Sequence, residues 1–219
     1  MQINADLTRP AIVDSTTLDW VPSPIAGIER RMLERDGAEV ARATSLVRYA
    51  PGSAFSPHRH DAGEEFLVLD GVFSDETGDF PEGYYIRNPP GSRHTPASAP
   101  GAIILVKLRQ MPEAETQPLR IDTRNPALWH PIAERLEHAM LFDAPWERVD
   151  LLRLAPGHTG APETFPGGVE IFIVTGSATI DDHPRSSGTW LRFPPGATLR
   201  LASGTGATIY RKTGHLAAQ

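Results

Sequence analysis

The sequence predicts an all-β protein made of two tandem jelly-roll barrels. Three observations carry that expectation: an internal repeat, short apolar runs that stop at glycine, and turn residues spaced at strand length. The repeat is the strongest. "LVRYAPG" (Leu46–Gly52) returns as "LLRLAPG" (Leu151–Gly157), a shift of 105 positions. At that shift Gly71 meets Gly176, Gly83 meets Gly188, Lys107 meets Lys212, and "RNPPG" (Arg87–Gly91) meets "RFPPG" (Arg192–Gly196). From Leu46 to Leu108 about a third of the positions are identical, without a gap. A period of about 100 residues is too long for a solenoid and suits one domain per copy.

Within each copy the local signals are β. "FLVLDG" (Phe66–Gly71) and "IFIVTG" (Ile171–Gly176) are β-branched apolar runs ended by glycine. "MLERDGAEVARATSLVRYA" (Met32–Ala50) sets Asp36-Gly37 between strand-like arms, which predicts a hairpin turning there. A helix over Ile28–Arg35 explains less of the segment. The 19 glycines and 21 prolines punctuate the chain roughly every 8–12 residues, the spacing of short antiparallel strands in a barrel or jelly roll. The expected bounds are 1–111 for the first barrel, 112–126 for a polar linker holding Pro112, Pro118 and Pro126, and 127–219 for the second. Trp20-Val-Pro and Trp129-His-Pro open the copies at a shift of 109, so a short indel precedes the gap-free region.

Composition narrows the chemistry. The chain has 219 residues, 40% apolar and 22% charged, which is a globular composition large enough for a buried core. A formal charge of -6 argues against nucleic-acid backbones and anionic membranes as partners. There is no cysteine, so disulfides, iron–sulfur clusters and thiolate zinc sites are excluded, and any metal must use histidine and carboxylate ligands. Met1–Pro10 lacks an apolar core, and no apolar run approaches the ~18 residues of a membrane helix. The cytoplasm is therefore the expected compartment.

One constellation stands out. Copy one reads Gly52-x5-His58-x-His60-x3-Glu64-x6-Gly71, then Gly83-x5-Pro89-x-Gly91-x2-His94. His58, His60 and Glu64 share even parity, so along a strand they project to one face, and His94 on a following strand can complete the set. A lone His-x-His is commonly surface decoration. The phased glutamate, the glycine–proline frame and His94 make it a metal site here. Three nitrogens and one oxygen suit Zn, Fe(II), Mn, Ni or Cu.

Copy two has lost every ligand: His58 maps to Glu163, His60 to Phe165, Glu64 to Val169 and His94 to Leu199. The second barrel is thus expected to be metal-free. Glu65 maps to Glu170 and persists where no site exists, so Glu65 reads as structural and Glu64 as the ligand. Arg48/Arg153, Arg87/Arg192 and Lys107/Lys212 recur in both copies and read as scaffold or interface charges. Phe55, Phe73, Tyr84 and Asn88 are particular to copy one and suit either a pocket wall over the metal or ordinary barrel packing. His130, His138, His158, His183 and His215 match no ligand position and are expected to be solvated or hydrogen-bonded.

Both motifs match the two signature motifs of the cupin superfamily. "HRHDAGEEFLVLDGVFSDETGDFPEGYYIRNPPGSRHTP" (His58–Pro96) resembles the cupin domain of ChrR-type anti-sigma factors. The resemblance implies a double-stranded β-helix bicupin with one divalent ion on His58, His60, Glu64 and His94, zinc preferred and iron, manganese or nickel open. The role it implies is sensory or regulatory, or the binding of a small ligand. The same subfamily resembles mononuclear dioxygenases that cleave acetylacetone or hydroxyacetophenone. With iron or manganese at six-coordination the four side chains leave two positions free, so a cupin dioxygenase is the alternative. No catalytic residue beyond the ligand set is identifiable. ChrR-type factors grip their sigma factor with a helical zinc domain that uses histidine and cysteine. The expectation here is that this part is absent, so a sigma factor is not an expected partner, while a small molecule and a homodimer remain open.

Overall fold

A computed structural model describes residues Met1–Ala217. The chain divides into two compact units, Met1–Ala5 with Leu18–Arg124, and Asp6–Thr17 with the residues from Asn125 onward. Both are built of strands, and no helix is long and apolar enough to cross a membrane. The principal strands of the first half are β1 (Ala11–Asp14), β2 (Ile28–Gly37), β3 (Ala41–Tyr49), β4 (His58–Arg59), β5 (Glu64–Asp75), β6 (Tyr84–Asn88), β7 (Arg93–His94) and β8 (Ala102–Leu108). They are followed by β9 (Leu119–Asp122), β10 (Leu136–Ala144), β11 (Glu147–Leu154), β12 (Val169–Ile180), β13 (Thr189–Phe193) and β14 (Ala207–Thr213).

The two units repeat one antiparallel topology. In the first the sheet runs β2-β3-β8-β5-β6-β9, and in the second β10-β11-β14-β12-β13-β1. A β-bulge interrupts β5 against β8 beside Ile104, and the matching bulge interrupts β12 against β14 beside Ile173. The recurring glycines have a steric reason. Gly71 has φ +73° and Gly176 φ +75°, and a Cβ there would stand 2.0 Å and 2.2 Å from the carbonyl oxygens of Gly101 and Gly206. Only glycine fits so close a backbone approach.

The segment Ile28–Arg35 is strand, as the hairpin reading expects, and buries Ile28 and Leu33. Two expectations are corrected. The β2–β3 hairpin pairs Asp36 with Arg42 and Gly37 with Ala41, so its turn is Ala38–Val40 and not Asp36-Gly37. The second concerns the stretch 112–126. Its prolines break the chain, but the proline-free Leu119–Asp122 is strand β9 and pairs with β6, Tyr85 opposite Ile121.

β9 also reveals an exchange. Aligning Asp14 with Asp122 makes β1 and β9 repeat equivalents at a shift of 108. β1 opens copy one yet completes the second unit's sheet, with Val13 opposite Trp190. β9 opens copy two yet completes the first. The anchors match: Ser15 donates its amide and hydroxyl to the Gly188 carbonyl, and Thr123 donates both to the carbonyl of Gly83. The expected boundaries 1–111 and 127–219 therefore give way to two units that each borrow a strand.

The recurring charges form a buried row. Glu65 pairs across β5 with Arg87 on one side and Lys107 on the other, and Glu170 stands likewise between Arg192 and Lys212. All six are at most 1% exposed. Arg87 Nη1 lies 2.8 Å from Glu65 Oε2, which also accepts from the Tyr85 hydroxyl. In the second unit Trp190 Nε1 donates to Glu170 Oε1 at 2.7 Å. Arg48 and Arg153 instead lie over the rings of Trp20 and Trp129, at 4.4 Å and 3.8 Å, which accounts for the repeated tryptophans. Because removing one member of a buried charge set strands its partners, Glu65→Gln should cost about 3 kcal/mol of folding stability in urea denaturation. A loss below about 1 kcal/mol would show that the row is not part of the frame.

Candidate metal centre

The site sits at one end of the first barrel, where a short ribbon meets β5. His58 on β4 lies directly opposite His94 on β7. His60 follows just outside the strand. Its amide donates to the Ser92 carbonyl at 3.0 Å, and its own carbonyl accepts from Gly91 at 2.8 Å. The chain then turns through Asp61–Gly63, with Gly63 at φ +75°, and Glu64 begins β5. The four expected residues do converge, but not by parity along one strand. The turn before Glu64 brings them together.

The ring nitrogens of His58, His60 and His94 all lie within 4.8 Å of one another, and no other such group occurs among the described residues. His60 Nε2 and His94 Nε2 are 2.8 Å apart. Glu64 Oε2 is 3.4 Å from the first and 3.5 Å from the second. The spacings among His60, His94 and Glu64 are close to the ~3.0–3.4 Å edges of a coordination polyhedron with ~2.1 Å bonds, and His58 stands farther out, within 4.8 Å. His60, Glu64 and His94 are buried, and His58 is half-buried at the rim. Burial lowers the His60 pKa, against an opposing pull from Glu64, and so favours the neutral imidazole that can ligate.

Neighbours aim these groups. His58 Nδ1 is 3.1 Å from the Ser56 carbonyl, and His94 Nδ1 is 3.3 Å from Asp75 Oδ2. Both contacts place the proton on Nδ1 and turn Nε2 towards the common point. Burial pushes the Asp75 pKa up, but hydrogen bonds from His94 and Thr77 and the charge of Arg120 outweigh it and hold it at about 2. Arg120, on the exchanged strand β9, has its Nη2 3.9 Å from Asp75 Oδ2. Asn88, cross-strand partner of Glu64, donates to Glu64 Oε2 at 3.0 Å. Asn88 thus steadies a ligand instead of lining a pocket. Asp75 and Arg120 carry no signal in the sequence.

A cavity of about 340 Å³ opens beside the ligands, walled by His58, His60, Glu64, Tyr49, Phe55 and Val106 among others. Burial and the nearby Glu64 raise the Tyr49 pKa well above the usual phenol value, so its hydroxyl stays protonated. Of the three aromatics considered for a wall, only Phe55 faces this cavity. Phe73 is buried with its ring 6.0 Å from that of His94, and Tyr84 packs on Phe80 beneath Arg124. In the second unit Phe165, Val169 and Leu199 take the three buried positions as apolar side chains, and a cavity of about 340 Å³ lined by Leu152, Glu163, Leu199 and Arg211 among others stands beside them. Two other histidines are hydrogen-bonded as expected: His158 to the Glu134 carbonyl and His215 to Glu170.

Two outcomes follow from this geometry. Glu64→Gln should weaken metal binding about 10-fold or more in competition titrations, because a neutral amide replaces the only anionic ligand, while Glu65→Gln leaves metal affinity unchanged. Equal losses in the two variants would contradict the placement of the two glutamates on opposite faces. Asp75→Asn should lower metal affinity ~10–100-fold by releasing the His94 tautomer, and an unchanged affinity would remove Asp75 from the site.

Comparison with known proteins agrees with this architecture. A family model described as the ChrR Cupin-like domain matches twice, over residues 8–112 and 116–217. Each match includes one leading strand, β1 or β9. No curated protein sequence matches the chain. Among solved structures, a candidate dioxygenase from Nostoc punctiforme aligns at 17% identity with TM-score 0.77, covering 97% of this chain and 85% of that one. A glyoxylate-induced protein candidate from Pseudomonas aeruginosa aligns at 16% and 0.76, covering 97% and 90%. The Escherichia coli pirin YhhW, solved with nickel(II), aligns at 11% and 0.71, covering 94% and 98%. At these identities the structures speak for the cupin fold alone. The two family matches say more: the chain is a bicupin and belongs to the ChrR Cupin-like domain family.

Proposed function

We propose that the chain binds one divalent transition metal through His58, His60, Glu64 and His94, and uses it to hold a small organic molecule in the adjoining cavity, in a sensory or regulatory role. The observation that carries this is that His58, His60 and Glu64 stand in the wall of a cavity of about 340 Å³, while the second barrel's cavity of equal volume has Glu163 at the position of His58 and Leu199 at that of His94. Zinc is the metal preferred, since three imidazoles and a carboxylate can complete its tetrahedral shell and an incoming group can enter as a fifth ligand.

A dioxygenase is the second reading, and the apolar lining of the same cavity favours it. Tyr49, Phe55 and Val106 give the wall beside His58, His60 and Glu64 an apolar part, against which the body of a diketone or hydroxyphenyl ketone could lie. A bound divalent ion supplies Lewis-acid polarisation of an oxygen ligand, and iron or manganese adds a redox step that zinc lacks.

Protein purified without added metal should contain about one zinc per chain, because the second barrel offers no ligands. A content near two would overturn the stoichiometry. Metal-free protein reloaded with Fe(II) under nitrogen, then given air and a panel of β-diketones and hydroxyphenyl ketones, should consume no oxygen. Turnover that appears with Fe(II), is absent with zinc and disappears in His94→Ala would establish the dioxygenase in place of the sensor.

A further inference from the structure

Arg109 is out of place for its backbone. It has φ +58°, a left-handed conformation that arginine rarely adopts, and the equivalent residue of copy two is Gly214 at φ +88°. The equivalence is structural as well as numerical: the Arg109 amide donates to the Gly63 carbonyl at 3.0 Å, and the Gly214 amide to that of Gly168 at 3.2 Å. Where the chain has no ligand to hold, it uses the residue that suits this backbone. Where it has metal ligands, it accepts strain to place an arginine, and Arg109 lines the cavity that holds His58, His60 and Glu64. Strain retained beside a site is characteristic of a functional side chain.

The charges of the cavity point to what that side chain receives. Arg30 is paired with Glu39 at 3.4 Å and Arg59 with Asp61 at 3.4 Å, so both are neutralised within the wall. Arg109 is exposed and makes no ion pair among the described residues. Glu64 cancels one of the two charges of a divalent ion. A loaded cavity is therefore positive twice over, at the metal and at Arg109, while Tyr49, Phe55 and Val106 between them are aromatic or aliphatic.

We propose that Arg109 is the anion-binding residue of this cavity and that its ligand class is a small carboxylate with a compact apolar body. The carboxylate takes the fork of the guanidinium, and the apolar body lies along Phe55 and Val106. The inference rests on the cavity being a ligand site, as read above, and adds the charge of the ligand.

The test is calorimetry on the zinc-loaded full chain with benzoate and isobutyrate, each against its neutral amide. Each acid should bind at least about 10-fold more tightly than its amide, the margin expected of charge-assisted hydrogen bonds to a guanidinium. Arg109→Gly should abolish that margin while leaving zinc content unchanged and the thermal midpoint equal or higher, since glycine relieves the backbone. Arg109→Lys should recover part of it. Amides binding as well as acids, no binding of either acid, or full acid binding in Arg109→Gly would each overturn the proposal. Zinc content measured on the same samples separates the two readings. Full zinc with acid binding independent of Arg109 sinks this inference alone. Failure to take up zinc sinks the metal reading, and acid binding to that metal-free chain, lost in Arg109→Gly, would keep this one.

Discussion

Strand β5 buries two carboxylates side by side, one on each face, and both barrels are organised by how those charges are met. Glu64 is 7% exposed and Glu65 1%. A buried carboxylate without partners costs several kcal/mol. On one face Glu65 is met by Arg87, Lys107 and the Tyr85 hydroxyl, all from strands hydrogen-bonded to β5 or joined to it in register. On the other, Glu64 accepts one amide from Asn88, lies beside the imidazole nitrogens of His60 and His94, and feels the charge of Arg120. The first carboxylate is met by cations of the protein. The second faces imidazoles that could hold a cation, and that asymmetry separates frame from candidate site.

The second barrel shows what happens when the two are uncoupled. Its row Arg192–Glu170–Lys212 is intact, so the frame does not depend on the residues at the four candidate ligand positions. The three buried ligand positions have become Phe165, Val169 and Leu199, which join the apolar cluster and need no compensating charge. The fourth, at the half-buried rim where His58 stands in the first barrel, has become Glu163. It still faces its partner across the same short ribbon, Leu199, and it stays polar because there it can reach water and Arg211, 3.2 Å away. Burial decides which positions had to become apolar.

Much of this was legible in the sequence, for physical reasons. Gly71 and Gly176 recur at a shift of 105 because no other residue fits beneath the facing carbonyls of Gly101 and Gly206, so that pair marks the frame. The repeat also separates Glu64 from Glu65, since the frame residue is kept and the ligand is not. Asp36-Gly37 is a short-range signal and misplaces the hairpin turn, because the register of the two long strands puts the reversal at Ala38–Val40. Convergence of the histidines was right for the wrong reason, because alternation holds only within a strand and the chain turns at Gly63. Asp75 and Arg120 left no trace. Asp75 lies at the far end of β5 from Glu64, and Arg120 lies in a proline-bounded stretch that resembles a linker. Periodicity shows which positions are equivalent and does not show which sheet an edge strand will join.

The edge strand exchange also ties copy two to the surroundings of the candidate site. β6 carries Asn88, which steadies Glu64, and Arg87, which meets Glu65. Without β9 it would be an open edge, exposed to water and to pairing with other chains. β9 covers it and delivers Arg120 to Asp75, the carboxylate that orients His94. By its ligands the metal centre belongs wholly to copy one. By its second layer of contacts it also depends on the first strand of copy two, and the second barrel depends in the same way on β1. Neither half has a complete sheet made from its own repeat alone.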